Sequence, residues 1–203
     1  MKRALFIITG LLFVFNGNSK DRAMFIYGEL GGGYGNFSTF KAAINGIYNN
    51  DYCFGIAYYG QSRRADNIPA DFNPGLDYLI VQRPQQTLNT INITAGKVIL
   101  TQYKMIRYLL KGGISIGYCK TPANYTESSN GYLLSSNYDV TYDSKMAVGL
   151  VLNPTVEFPF CPGFGLNLGL TCNLNTSQSY FGAEAGLIFG KTRNRSRHPI
   201  HKN

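Results

Sequence analysis

Hydrophobic and polar side chains alternate with a period of two along most of this chain. In residues 24–34 one face carries Met24, Ile26, Leu30 and Tyr34, and in 37–48 it carries Phe40, Ala42, Ile44 and Tyr48, with Lys41 and Asn45 opposite. Residues 52–62 set Tyr52, Phe54, Ile56 and Tyr58 against Cys53, Gly55, Ala57 and Tyr59, and 87–98 repeats the pattern more weakly through Ile91, Ile93 and Ala95. The alternation returns in 107–119, 145–158, 163–173 and 179–190. Period two puts successive side chains on opposite faces of a sheet. After residue 20 no stretch keeps a 3.6-residue apolar period and none is a long apolar run, so helical membrane spans are not expected. Eight strands of 11–14 residues are predicted. That is longer than the ~5–6 residues of ordinary strands and close to the ~9–11 a tilted strand needs to cross a bilayer.

The connections point the same way. If the N-terminus lies in the periplasm, the inner turns are 49–51, 99–106 and 159–162, all short. The two long loops, 63–86 and 120–144, then fall outside, beside short outer turns at 35–36 and 174–178. Short periplasmic turns, longer external loops and an even strand count are the pattern of outer-membrane barrels. A sheet edge cannot stay open in lipid, so the sheet must close. The expected fold is all-β: an eight-stranded antiparallel up-and-down transmembrane β-barrel preceded by a cleaved signal peptide.

Closure at eight strands leaves an interior about wide enough for side chains alone. The inward faces are small and polar, with glycines and Asn45, Asn92, Ser115, Asn153 and Asn167. The charges within strands land there too. Glu29, Lys41 and Glu184 lie on three adjacent strands at similar heights, and Lys111 and Glu157 on neighbouring strands could form a second pair. Unpaired buried charge is costly, so an internal ion-pair plug is expected. A narrow passive, porin-like channel is the alternative for the same interior. Tyr27, Tyr34, Tyr48, Tyr52, Tyr58, Tyr108, Tyr118, Phe158 and Phe189 fall near strand ends, where amphipathic rings suit the membrane boundary.

Charge changes the picture at the termini only. The 203 residues carry a formal +8, which at first sight points to a nucleic-acid partner. Two bases lie in residues 1–3 and five (Lys191, Arg193, Arg195, Arg197, Lys202) in 191–203, whereas residues 4–190 hold 12 bases against 11 acids. The body is nearly neutral, and no nucleic-acid partner is expected. Lys2 and Arg3, the apolar run 4–15, and Gly17 and Ser19 before Lys20 follow the order of a secretory signal peptide. The expected division is a signal peptide at 1–19, the barrel at 20–190 and a basic flexible periplasmic tail at 191–203. Disorder is excluded by the 15 Tyr and 13 Phe of the chain.

Three segments carry a resemblance: Gly149-Leu-Val-Leu-Asn-Pro-Thr-Val-Glu-Phe-Pro159, the pair Gly165-Leu-Asn-Leu-Gly-Leu170 and Ser179-Tyr-Phe-Gly182, and the closing Gly186-Leu-Ile-Phe-Gly-Lys-Thr-Arg193. They resemble the outer-membrane β-barrel (porin-like, PorT-type) family common in Bacteroidetes. The resemblance spans roughly residues 20–193 and implies a small integral protein of a Gram-negative outer membrane. It supplies no catalytic residues.

Sites of chemistry are sparse. Small outer-membrane hydrolases and acyltransferases resemble one another in using histidine, and the only histidines here, His198 and His201, lie in the tail. No enzyme activity is expected. Gly31–Gly35 is followed by no helix and no lysine at loop spacing, so strand curvature explains it better than a phosphate cradle. Cys53, Cys119, Cys161 and Cys172 form no CxxC, so neither metal nor cofactor is expected, and buried free thiols are. Arg63, Arg64 and Arg83 are candidate contacts for lipopolysaccharide phosphates, with solvated loop charge as the plainer reading. Tyr125, Tyr132, Tyr138 and Tyr142 fit either an adhesive surface or the aromatic packing of a hairpin that extends the strands, the second being preferred. The expected role is structural, surface-interacting or envelope-assembling, with outer-membrane lipid, lipopolysaccharide and the barrel-assembly machinery as partners and a monomer as the state. A soluble, secreted, lipocalin-like ligand-binding barrel is the second alternative, and it requires an apolar interior.

Overall fold

The computed structural model describes residues 24–73, 84–101, 106–128 and 136–192. The signal-peptide expectation, Arg83, Tyr132, both histidines and the tail beyond residue 192 lie outside the described residues. Eight strands follow in chain order: β1 (Met24–Gly35), β2 (Ser38–Tyr48), β3 (Tyr52–Arg64), β4 (Gln85–Leu100), β5 (Arg107–Glu127), β6 (Tyr138–Cys161), β7 (Phe164–Asn175) and β8 (Tyr180–Gly190). Each pairs antiparallel with the next, and β8 returns to β1 through Tyr27↔Gly190 to Gly35↔Gly182, which closes the barrel.

One end, the base, holds Met24, Thr192 and the short connections. One of them is Tyr48–Asp51, where the Asp51 N–H donates to the Tyr48 carbonyl at 3.1 Å. Asn49 and Asn50 sit there at φ of 54° and 59°, a left-handed conformation that asparagine tolerates. Gly190 closes the last strand at φ 115°, and its N–H donates to the Gly163 carbonyl of the β6–β7 turn. The opposite end, the mouth, carries the long connections. There β5 and β6 continue past their neighbours as a paired hairpin up to Glu127↔Tyr138, with a register shift between Pro122 and Asn124. The two strands reach 21 and 24 residues, well beyond the 11–14 that alternation alone predicts.

The outer wall is apolar. Ile44, Ile56, Ile114, Leu150, Leu170 and Phe181 all stand exposed on it. The interior is layered. Near the base Phe25, Tyr27, Ile47, Cys53, Leu109 and Ile188 pack together, and near the mouth Phe37, Leu88, Cys119, Ala147 and Tyr180 do the same. The buried charges are Glu29, Glu184, Lys41 and Lys111 between these layers and Glu157 and Arg107 at the base layer, three acids and three bases among the described residues.

Two expectations need correction. Tyr27 belongs to no boundary ring: it shares the inward face of β1 with Phe25 and Glu29 and is buried. The four thiols are free, but Cys161 is exposed at the base and Cys172 is only half-buried, because the first lies at the end of β6 and the second faces outward.

Candidate functional site

The central feature of the interior is a carboxylate held from three strands. Lys41 on β2 places its Nζ 2.5 Å from Glu29 Oε1 on β1 and 3.1 Å from Glu184 Oε2 on β8. Two asparagines complete the shell: Asn45 Nδ2 donates to Glu29 Oε2 at 2.7 Å, and Asn167 Nδ2 donates to Oε1 at 2.5 Å. Both amides occupy space that facing glycines leave open. Asn45 lies opposite Gly55 and Asn167 opposite Gly186, and a Cβ at either glycine would come within 2.5 Å of the asparagine Oδ1. Tyr59 stands beside the group, with its ring 5.6 Å from Lys41 Nζ and its hydroxyl donating to Glu184 at 3.4 Å.

A second charged group sits nearer the base, and its composition differs from the sequence expectation. Glu157 pairs with Arg107, whose Nη2 lies 2.6 Å from Oε2, and the Tyr27 hydroxyl donates to Oε1 at 2.6 Å. Lys111 is not its partner. The β5–β6 register sets Arg107 opposite Glu157 and Lys111 opposite Asn153, four residues further up, and Lys111 Nζ instead donates to Asn45 Oδ1 at 3.5 Å. Arg107 also donates through Nη1 to the Thr192 carbonyl at 2.6 Å, which ties the chain after β8 beneath the barrel. The first two tail residues are thus held: Thr192 Oγ1 donates to the Cys161 carbonyl, and Lys191 lies over the Phe25 ring at 5.9 Å.

At the mouth the predicted basic residues separate. Arg63 turns inward. Its guanidinium stacks on the buried Phe37 ring at 4.9 Å, Nε donates to Gln86 Oε1 at 2.8 Å, and Nη2 lies 3.6 Å from Asp66. Gln86 in turn donates to Thr121 and Gln178. Arg63 thus helps to close the mouth from within. Arg64, the next residue, is exposed on the outer rim. Above the mouth residues 67–73, within the described start of the first long connection, dock on the β5–β6 hairpin. Phe72, Tyr125 and Tyr138 hold mutual centroid distances of 6.3 Å, and the Tyr138 hydroxyl donates to Asp71 Oδ2 at 2.9 Å. Partial burial in this cluster, together with the nearby Tyr142, pushes the Tyr125 phenol above its ordinary pKa.

No cluster of three or more His, Cys, Asp or Glu with metal-binding geometry occurs among the described residues. No family model and no curated protein matches the chain. Solved structures do. Neisserial surface protein A is 14% identical, covers 84% of this chain and 99% of its own, and superposes with a TM-score of 0.49. Ail, the attachment invasion locus protein of Yersinia pestis, is 12% identical over 83% of this chain and 96% of its own, at 0.46. The N-terminal β-barrel domain of Pseudomonas aeruginosa OprF is 10% identical over 81% and 95%, at 0.44. The barrel here stands on its own strand pairings, and nothing about ligand or partner passes to it from these proteins.

Proposed function

We propose that this chain is an integral outer-membrane β-barrel of a Gram-negative envelope, plugged by its own side chains and without catalytic activity. One observation carries the reading: polarity is inverted relative to a soluble barrel, with large apolar residues exposed outside and three acids and three bases buried within. In water such a wall would be an aggregation surface, whereas in lipid it is the required one. A lipocalin-like barrel does not fit, because it needs its apolar face inside. The plugged reading over a passive channel draws support from the apolar layers at both ends and from the Arg63–Phe37 cap.

Within that reading the protein works through its mouth. The aromatic cluster and hairpin give a surface-interaction or envelope-assembly role a platform, the exposed Arg64 is a candidate contact for lipopolysaccharide phosphate, and the barrel acts as a monomer after delivery by the assembly machinery. The PorT-type resemblance of the segments quoted above belongs to the same proposal. Membrane fractionation followed by gel migration with and without boiling tests it. A membrane-fraction protein with a heat-shifted band is expected. A soluble protein, or identical migration in both states, overturns it. Planar-bilayer recordings should be silent, and sustained conductance would favour the channel.

A further inference from the structure

The outer wall carries an apolar furrow of about 1260 Å³ over β1–β4, walled by Ile26, Ile44, Ile56 and Ile93 and kept shallow-floored by Ala42 and Ala95. On β3 it runs from Tyr52 at the base to Tyr58 at mid-height. Six residues at ~3.3 Å each span ~20 Å, which a ~40° strand tilt reduces to ~15 Å along the membrane normal, the depth of one leaflet of a ~30 Å hydrocarbon core. The base end of the furrow is charged. Lys97 lies opposite Tyr52 in the β3–β4 ladder, and its ammonium sits 4.1 Å from the Tyr52 ring centroid. No carboxylate pairs with it among the described residues. Two smaller wall furrows, about 620 Å³ over β6, β7, β8 and β1 and about 270 Å³ over β4–β7, have no cationic side chain in their lining.

We propose that the β1–β4 furrow seats one glycerophospholipid of the inner leaflet. An acyl chain lies between the isoleucines, and the phosphodiester meets Lys97 at the base. The Tyr52 ring holds the ammonium against the wall, so little side-chain freedom remains to be lost when the phosphate arrives. The apolar furrow alone selects no lipid. Lys97 converts a greasy surface into a site with one orientation and one leaflet. This rests on the membrane reading above.

The test is native mass spectrometry of the full chain released from mixed micelles containing dioleoyl phosphatidylglycerol. The unaltered protein should retain one lipid. Lys97→Gln should lower its occupancy about fivefold to tenfold, the range for one charge-assisted contact of ~1–1.4 kcal/mol. Ala95→Phe fills the furrow and should do the same, while Lys120→Gln at the opposite rim should change nothing. Equal occupancy in the unaltered and Lys97→Gln proteins, or a graded series of adducts in place of one, overturns the seat. Each variant is first scored for the heat-shifted band, and should Ala95→Phe lose it, Lys97→Gln decides alone. A barrel that inserts into vesicles yet holds no lipid refutes only the seat; a chain that does not insert refutes the membrane reading as well.

Discussion

Arg107 and Glu157 face each other directly across the β5–β6 ladder, with guanidinium Nη2 2.6 Å from carboxylate Oε2 and both side chains almost wholly buried. Removing one partner strands a buried charge, typically at ~3–5 kcal/mol, whereas replacing both by apolar residues of similar volume often costs little. Glu157→Gln should therefore lower urea stability in lipid vesicles by about that amount. Adding Arg107→Met should recover much of the loss. A double variant as unstable as the sum of the singles would show that the pair does not act as a unit.

Lys41 bridges two carboxylates, so its removal should do more harm than removal of either. Lys41→Met leaves Glu29 and Glu184, on paired neighbouring strands, without the cation between them, and a loss of at least ~3 kcal/mol is expected. Adding Glu184→Gln to that variant should raise the unfolding midpoint again, since one of the two uncompensated charges is then gone. An unchanged midpoint would speak against repulsion as the cause.

The asparagine shell predicts a position-specific cost of a single methyl group. Gly55→Ala and Gly186→Ala drive a Cβ into Asn45 and Asn167, the two amides that hold Glu29, and each should destabilise by ~1–3 kcal/mol. Gly112→Ala is the control, because its nearest neighbour lies at 3.7 Å, an ordinary contact. Equal effects at all three positions would mean that general strand strain, and not the amides, sets the cost.

The thiols read out topology. Cys161 is exposed at the base, while Cys53 and Cys119 are buried in the lumen. A membrane-impermeant maleimide should label Cys161 only after the outer membrane is permeabilised. Labelling of Cys161 in intact cells would place the base outside and reverse the assignment of the mouth.

The docked first connection should protect itself. Tyr138→Phe removes the hydrogen bond to Asp71, and Phe72→Ala removes a ring from the aromatic cluster. Limited proteolysis of intact cells should cut between residues 65 and 84 several-fold faster in Phe72→Ala. Unaltered cleavage would mean that the cluster does not hold the connection.

Strand number, antiparallel order and the choice of face were legible in the sequence, because period-two alternation is a local property and lipid enforces it on every strand. The meeting of Glu29, Lys41 and Glu184 was legible too, since parity and height from one end suffice for adjacent strands. Partner choice further round the barrel was not. Whether Glu157 meets Arg107 or Lys111 depends on the β5–β6 register, which the long connection between the two strands leaves open and alternation cannot see. Arg107 was overlooked because it opens its strand, although it shares the parity of Leu109 and Lys111. Tyr27 had the same clue in its distance of two from Glu29. That β5 and β6 extend beyond the wall was legible in the tyrosines of the second loop, but how far they extend was not, because outside lipid the alternation need not separate polar from apolar.

The balance of three buried acids and three buried bases has an electrical consequence. Work done by a field on a protein scales with the net charge displaced, and a rigid lumen whose charges sum to zero offers it almost none. On the plugged reading proposed above, a field across the membrane therefore finds little net charge in the lumen to displace.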